Sequence, residues 1–222
     1  MKKTLDTSPS AWSLYAIIDA GSLGARSVRS VAEQLVEGGV SAIQLRNKSD
    51  RIDDFFADAV QVRTVTANAN VPFIVNDRLD IAVAVRADGI HVGQSDLPVP
   101  AVRRLLGPEK IVGVSVHNTR EMQDCEQSLV TYWGVGTIYP TRTKEDLTAT
   151  GVDVITEVRA MTAKPVVAIG GITLNNLESV FEAGASGVAI VSDLLVSDDI
   201  AGRTRMFVDR IALLRSQTAI AN

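Results

Sequence analysis

Three cationic side chains follow strand-like runs of the sequence and could bind a polyanion. Arg46 and Lys48 come at the end of one apolar, β-branched run, and Lys144 follows a later one. Arginine presents a bidentate fork to phosphate oxygens, and lysine presents a point charge. On one rim of a fold these cations would clamp a polyanion. The competing interpretation, solvated surface charges, fits the spacing about equally well.

Two aspartates, Asp77 and Asp96, also follow strand-like runs. Mg²⁺ prefers oxygen ligands and usually binds through one or two carboxylates together with substrate phosphates and water. Next to a cationic site, the pair therefore indicates a magnesium ion. Each aspartate also precedes a helical pattern, where Asp is a favoured N-cap residue. Taken singly, each fits helix capping better than metal binding.

The other reactive residue types indicate no nucleophile. Ser115 has no His–Asp relay within sequence reach, which argues against a hydrolase. His91 lies inside a strand-like run and fits a positioning role better than that of a base, whereas His117 is ambiguous. Cys125 lies in a helical pattern away from the strand ends, so we expect it to be inert.

The elements that must position these residues alternate regularly along the chain. Strands are predicted at 14–18, 42–45, 73–75, 89–92, 111–116, 132–135, 166–169 and 187–191. Helices are predicted between and after them at 28–37, 52–69, 78–86, 100–106, 119–128, 154–161, 174–183 and 200–215. Alternating strands and helices imply parallel pairing with right-handed crossovers.

Eight such units favour an α/β fold in the form of one (β/α)8 TIM barrel. A doubly wound open sheet is the competing architecture, but the count reaches eight and no GxGxxG follows the first strand. We expect one domain over residues 1–222, with an N-terminal extension at 1–12 and a C-terminal tail at 217–222.

Barrel topology indicates a second anion site near the last two strands. In TIM barrels the loops after strands seven and eight often hold a phosphate through backbone N–H groups. Gly171, Val191 and Ser192 fit such a site, and a glycine at 171 would let the backbone approach the anion. A tight turn is the competing interpretation. Two anion sites, a magnesium site and no nucleophile suit a reaction in which a diphosphate leaves and a second phosphorylated molecule attacks.

Composition excludes several other classes of protein. Hydrophobic residues make up 46% of the chain and charged residues 22%, which is the balance of a folded protein. A net charge of −4 disfavours non-specific nucleic-acid binding. The apolar runs are too short to span a membrane, and the single cysteine, Cys125, excludes an intrachain disulfide. We expect a cytoplasmic protein that binds neither nucleic acid nor membrane.

Six short segments together resemble the thiamine-phosphate synthase family. They are QLRNK at 44–48, VND at 75–77, DGIHVGQSD at 88–96, GVSVH at 113–117, YPTRTK at 139–144 and IGGI at 169–172. Each is weak alone, but all six occur in the family's order and at compatible spacing between residues 14 and 195. The resemblance implies a cytoplasmic thiamine-biosynthesis transferase with a TIM barrel.

The resemblance also implies a role for each matched residue. The pyrimidine diphosphate substrate would be bound by Gln44, Leu45, Arg46, Asn47, Lys48, Asn76, Ser115 and Lys144. The thiazole phosphate would be bound by Thr141, Arg142, Thr143, Gly171, Val191 and Ser192. Arg46, Lys48, Ser115 and Lys144 would be catalytic, and Asp77 and Asp96 would bind the Mg²⁺ cofactor.

The implied reaction fits the residue types that are present. It joins 4-amino-2-methyl-5-hydroxymethylpyrimidine diphosphate to 4-methyl-5-(2-hydroxyethyl)thiazole phosphate and releases pyrophosphate. Mg²⁺ and the cations would neutralise the leaving pyrophosphate, and the aminopyrimidine would stabilise a carbocation as the C–O bond breaks. The thiazole nitrogen has a lone pair and no proton to lose, so no general base is required.

Two alternatives remain open at this point. A thiazole tautomerase is similar in fold and sequence but needs no diphosphate clamp, and a non-catalytic barrel could bind thiamine phosphates to regulate a partner. The presence of Lys48, Asp77, Asp96 and Lys144 together favours the synthase. The oligomeric state, a homo-oligomer included, is left open by the sequence.

Overall fold

Eight parallel strands close into a barrel. The computed structural model describes residues 12–49, 51–141 and 148–221, with side chains to residue 217. Each strand pairs with the next, and the last returns to the first. The strands are β1 (Leu14–Asp19), β2 (Ala42–Arg46), β3 (Phe73–Asn76), β4 (Gly89–Val92), β5 (Ile111–Val116), β6 (Tyr132–Val135), β7 (Val166–Ile169) and β8 (Gly187–Ile190). The predicted TIM barrel is therefore confirmed, and the doubly wound sheet is excluded.

Helices connect the strands where the amphipathic spacing predicts them. They are α1 (Val28–Glu37), α2 (Ile52–Ala69), α3 (Leu79–Ala84), α4 (Val99–Leu106), α5 (Thr119–Gln123), α6 (Asp153–Ala160), α7 (Leu177–Glu182), α8 (Ser192–Leu195) and α9 (Ile200–Ala221). Of the helices described, none is both long and apolar enough to cross a membrane.

Several helix boundaries differ from the prediction for local reasons. The predicted helix 78–86 is shorter, and Arg86 beyond its end adopts a left-handed φ of +53°. The predicted helix 174–183 begins later, because the Asn176 side chain accepts the Thr173 N–H (2.8 Å) and holds a turn there. Cys125 lies beyond the end of α5 rather than inside a helix. The sequence predicts no α8, and α9 continues through most of the segment predicted as a tail.

Strand alternation divides the core into two layers. Every second strand residue points into the barrel. The interior cluster consists of Trp12, Tyr15, Ile17, Ala42, Ile74, Ile111, Tyr132, Val167 and Ala189. The residues between them, such as Leu45 and Trp133, face outward and pack in the shell between strands and helices.

Two half-buried cations tie together loops at the N-terminal end of the barrel. Arg103 donates to the carbonyl oxygens of Gly107, Pro108, Lys110 and Leu129. Lys164 donates to those of Gln127, Ser128 and Val130. Burial lowers the pKa of both cations. The loops at the N-terminal end of the barrel are therefore joined by side chains that bind backbone carbonyl groups. The opposite end of the barrel carries the candidate site.

Candidate active site

A cavity of about 790 Å³ lies at the carboxyl ends of the strands, where TIM-barrel enzymes carry their active sites. Two groups of polar residues line it on opposite sides of the barrel. The charged arc follows β2, β3 and β4 and consists of Arg46, Lys48, Asp77 and Asp96. The amide arc follows β7 and β8 and consists of Gly171, Ile172 and Ser192. An apolar patch on β1, β7 and β8, made of Ile17, Val167, Ile169 and Ala189, forms part of the wall of the cavity.

Both described cations of the charged arc are held by carboxylates. Arg46, at the end of β2, forms an ion pair with Asp19, which lies opposite it in the β1–β2 register and is buried. The Lys48 Nζ lies 2.5 Å from Asp77 Oδ2. Asp19 also accepts the Gly21 N–H (3.2 Å). The sequence interpretation did not include Asp19, although it directly follows a predicted strand just as Arg46 does.

The two aspartates are neighbours, and neither caps a helix. The N-cap residues of α3 and α4 are Arg78 and Pro98, so the capping interpretation is wrong. Asp96 instead accepts the Gly93 N–H (2.7 Å). Burial raises the pKa of Asp96, and the adjacent Asp77 carboxylate raises it further, whereas the Gly93 N–H lowers it. Two carboxylates are thus brought together at one edge of the cavity.

Of the other residues predicted to bind the diphosphate, some line the cavity and others do not, as the alternation of side chains along a strand dictates. Asn76, at the end of β3, and Gln44, deeper in β2, both line the cavity. The Leu45 side chain is fully buried in the outer shell, on the opposite face of β2, so it takes no part in the lining. Asn47 is outside the lining as well, and its side chain accepts the Ser49 N–H (2.8 Å) in the turn after β2.

The amide arc presents backbone donors. The Gly170 carbonyl accepts the Tyr139 N–H (3.0 Å), and the Gly171 carbonyl accepts Asn176 Nδ2 (3.0 Å). In a trans peptide the C=O and N–H point in opposite directions. The N–H groups of Gly171 and Ile172 therefore point away from these partners, and no hydrogen bond from either is found within the described part of the chain.

Three other residues predicted for the thiazole phosphate also line the cavity. Val191 and Ser192 lie at the end of β8, and Ser192 begins α8, where the first N–H groups of a helix have no intrahelical acceptor. Thr141 lies in the neighbouring loop after β6. The predictions for Arg142, Thr143 and Lys144 lie outside the described residues.

Gly171 is required by its backbone conformation and by the packing of the loop after β6. It adopts a left-handed φ of +62°, and a Cβ atom there would lie 2.6 Å from the Pro140 carbonyl oxygen and 2.8 Å from Tyr139 Cβ. A side chain at this position would therefore displace the loop after β6. The approach of the anion to the backbone of Gly171 stays a prediction, and this contact is a second reason for glycine at the position.

A line of hydrogen bonds crosses the barrel interior beneath the charged arc. Gln44 Nε2 donates to the Tyr15 hydroxyl (2.8 Å), which lies 3.0 Å from the Tyr132 hydroxyl. The Tyr132 hydroxyl lies 2.8 Å from His91 Nδ1, and His91 Nε2 lies 2.8 Å from Ser115 Oγ. Burial raises the pKa of both tyrosines, so they remain protonated. The positioning role expected of His91 agrees with these contacts.

Two strand glycines make room for the rings of this line. A Cβ atom on Gly113 would lie 2.1 Å from Tyr132 Cζ, and one on Gly134 would lie 2.8 Å from His91 Cε1. Glycine inside a strand often marks such a close approach. These two glycines were the sequence signal for an interior aromatic cluster, which the sequence interpretation did not use.

His117 belongs to the rim of the cavity rather than to this line. Its Nδ1 and its backbone N–H both contact Glu121 Oε2 at 2.9 Å. Glu121 in turn donates its backbone N–H to Asn118 Oδ1 (2.9 Å), so the group forms the N-terminal cap of α5. The contacts of His117 are thus accounted for by helix capping.

The fold and the cavity define a TIM-barrel enzyme with a site for small anionic molecules. The chain belongs to the thiamine monophosphate synthase family, whose model matches residues 14–194. A thiamine-phosphate synthase of Chloroflexus aurantiacus is 43% identical over 195 residues, which cover 87% of this chain and 90% of that protein. One from Clostridium acetobutylicum is 38% identical over 198 residues, covering 89% and 94%.

Solved structures agree with this assignment. The thiamine phosphate pyrophosphorylase of Pyrococcus furiosus superposes with a TM-score of 0.83 at 30% identity, over 93% of this chain and 98% of that one. The predicted family is confirmed. The name shared by the relatives also supports the predicted activity, that of a thiamine-phosphate synthase and hence a transferase, and gives no support to the two alternatives.

Proposed function

We propose that the chain catalyses the Mg²⁺-dependent condensation of the pyrimidine diphosphate with the thiazole phosphate to give thiamine phosphate and pyrophosphate. The observation that carries this proposal is that one cavity has a charged arc on one side, an amide arc on the opposite side and an apolar patch in its wall. Such a cavity suits two phosphorylated substrates whose rings must meet between their anionic groups.

The charged arc would bind the diphosphate. Arg46 and Lys48 supply positive charge, and Asn76 supplies an amide at the same edge. From its place in the sequence, Lys144 would complete this group. A preorganised set of cations stabilises the charge that develops on a leaving pyrophosphate without the reorganisation that water requires.

Asp77 and Asp96 fit a magnesium ion. Two neighbouring carboxylates repel one another, and a divalent cation would relieve that repulsion. No three His, Cys, Asp or Glu side chains converge among residues 12–49, 51–141 and 148–221. A site with two protein carboxylates is typical of Mg²⁺, which retains waters and binds substrate phosphates. When bound, Mg²⁺ would neutralise part of the diphosphate charge.

The amide arc would bind the thiazole phosphate. The N–H groups of Gly171 and Ile172 and the start of α8 at Ser192 offer donors to phosphate oxygens. Thr141 adds a hydroxyl-bearing residue from the neighbouring loop. The thiazole ring would then extend over the apolar patch towards the pyrimidine.

The chemistry needs no protein nucleophile. The C–O bond of the pyrimidine diphosphate breaks, the electron pair leaves with pyrophosphate, and the exocyclic carbon becomes cationic. The thiazole nitrogen then donates its lone pair to that carbon, and no proton is removed. This chain's residues hold the two substrates in line, which lowers the entropic cost of their encounter. Ser115, on the cavity wall, would contact the pyrimidine.

One assay tests the proposed function directly. The purified chain is incubated with both substrates and Mg²⁺, and thiamine phosphate and pyrophosphate are measured; we expect equal amounts of the two products. Asp96→Asn should lose most of this activity. Asp80→Asn is the matched control, because Asp80 is exposed and pairs with Arg78 outside the cavity (2.9 Å).

Other outcomes would point to the alternatives. Conversion of a carboxylated thiazole phosphate without the diphosphate would indicate a tautomerase. Tight binding of both substrates without turnover would indicate a non-catalytic barrel. The cytoplasmic location stays a prediction.

A further inference from the structure

The direction of each hydrogen bond in the interior line, which joins five side chains, can be derived by counting the protons available for donation. Gln44 Nε2 can only donate, so the Tyr15 oxygen accepts from it. The contact between Tyr15 and Tyr132 then has two possible directions. Each direction determines which His91 nitrogen carries the proton and whether the Ser115 hydroxyl donates or accepts.

The two directions leave different groups unsatisfied. If Tyr132 donates to Tyr15, the Tyr15 proton has no acceptor within the line, although its side chain is 1% exposed. If Tyr15 donates to Tyr132, every buried donor is used, and the only proton left over is that of Ser115. Ser115 is half-buried on the cavity wall, where a ligand or water can accept its proton. A buried unsatisfied donor is costly, so the second direction is favoured.

We propose that Gln44, Tyr15 and Tyr132 form a polarised hydrogen-bond chain that holds His91 as the Nε2–H tautomer and leaves the Ser115 hydroxyl as a donor into the cavity. In this chain Tyr132 donates to His91 Nδ1, and His91 Nε2–H donates to Ser115 Oγ. Tyr15, Tyr132 and His91 are therefore positioning residues, which act on the substrate through Ser115.

This polarity gives Ser115 a defined chemical role, which rests on the proposed function. Because its oxygen already accepts from His91, the hydroxyl has one direction left for its proton. An aminopyrimidine has ring nitrogens with lone pairs, so a donor on the cavity wall can fix the rotation of the ring. The diphosphate is then directed towards the charged arc and the exocyclic carbon towards the amide arc.

The tautomer can be measured on the free protein by long-range ¹H–¹⁵N NMR of the imidazole nitrogens. The chain has only two histidines, and a His117→Asn variant assigns the remaining signals to His91. At neutral pH we expect His91 to show the Nε2–H pattern. The Nδ1–H pattern, or an imidazolium pattern, would overturn the proposed polarity. Because no substrate is present, this result does not depend on the proposed function.

Variants then test the link to Ser115. Tyr132→Phe removes the donor to Nδ1 and offers no acceptor in its place, so we expect the ¹⁵N signal of Nδ1 to shift towards that of a nitrogen lone pair without a hydrogen bond, while the His117 signals stay in place. An unchanged Nδ1 signal would contradict donation from Tyr132. Ser115→Ala should leave the Nε2–H pattern unchanged, because the polarity is imposed from Gln44. If Tyr132→Phe does not fold, the spectrum of the unmodified chain still decides the polarity.

A double-mutant cycle separates positioning from general stability. Ser115→Ala and Tyr132→Phe should each lower kcat about ten-fold, the effect of losing one hydrogen bond. The double variant should lose no more than either single variant, since both changes remove the same interaction. Losses that multiply to about a hundred-fold would show that Tyr132 acts independently of Ser115. A complete lack of turnover in the unmodified chain would refute the proposed function and leave the tautomer result intact.

Discussion

Substitution of Gly171 by alanine should disturb two neighbouring loops, the one after β7 that contains residue 171 and the one after β6 that packs against it. The new Cβ atom would lie 2.6 Å from the Pro140 carbonyl oxygen, and the residue would have to keep a φ of +62°. The structure offers a matched control in Gly24, which has a φ of +61° and no atom within 4 Å of its hypothetical Cβ. The two variants share the backbone strain and differ only in the steric contact.

The backbone strain and the steric contact each have an expected cost in free energy of unfolding. An L-residue in the left-handed region costs about 1–2 kcal/mol. Forcing an atom into filled space adds about 1–3 kcal/mol. We therefore expect Gly24→Ala to lower the free energy of unfolding by about 1–2 kcal/mol and Gly171→Ala to lower it by about 2–5 kcal/mol. Urea denaturation followed by tryptophan fluorescence measures both values.

Ligand binding provides the second measurement. The loop after β6 carries Thr141 and continues into the segment that contains Lys144, so its displacement should weaken both substrates. Calorimetry with each substrate alone should show losses for both in Gly171→Ala and for neither in Gly24→Ala. If the two variants are equally stable and Gly171→Ala weakens only the thiazole phosphate, the steric reasoning is refuted and direct approach of the anion is the correct explanation.

Three other changes probe the charged arc and the mechanism. Asp77→Asn and Asp96→Asn should each lower turnover about 10²–10³-fold with the fold intact by circular dichroism, and normal turnover at low Mg²⁺ in either would exclude the metal assignment. Asp19→Asn should lower the free energy of unfolding by about 1–3 kcal/mol, because Arg46 loses its buried partner. Added pyrophosphate should then stabilise the variant more than it stabilises the unmodified chain. An equal increase in stability in both proteins would contradict this reasoning. A trifluoromethyl group in place of the pyrimidine methyl should slow single-turnover chemistry by several orders of magnitude with little effect on binding, whereas similar rates would exclude a carbocation.

The barrel is predictable from the sequence because its strands are short, apolar and separated by amphipathic segments. All eight predicted strands agree with the structure to within one residue at each end. The helices are less regular because side chains in the loops compete with the helical backbone. The Asn176 turn, which delays α7, depends on the contacts of one side chain, which periodicity does not reveal.

Much of the candidate site is also predictable, since strand order places the ends of neighbouring strands together. Asp77 and Asp96 reach one edge of the cavity in this way. Which strand residues point into the cavity is harder to predict, because a shift of one position along a strand changes the side of the sheet. Gln44 lines the cavity, whereas its neighbour Leu45 does not. The hydrogen bonding of Tyr15 could not be predicted from the sequence, because the hydroxyl group that it contacts belongs to a strand far away along the chain.

The ties of Arg103 and Lys164 have a consequence for how freely this sequence can change. Both cations bind main-chain oxygens, and every residue type supplies such an oxygen. The loops that they join can therefore exchange side chains without losing the contact, provided that the path of the chain is kept. Mutational tolerance should be high in those loops and low at the two cations themselves. Neutral substitutions should therefore accumulate in the loops that these two cations join, at the end of the barrel opposite the cavity.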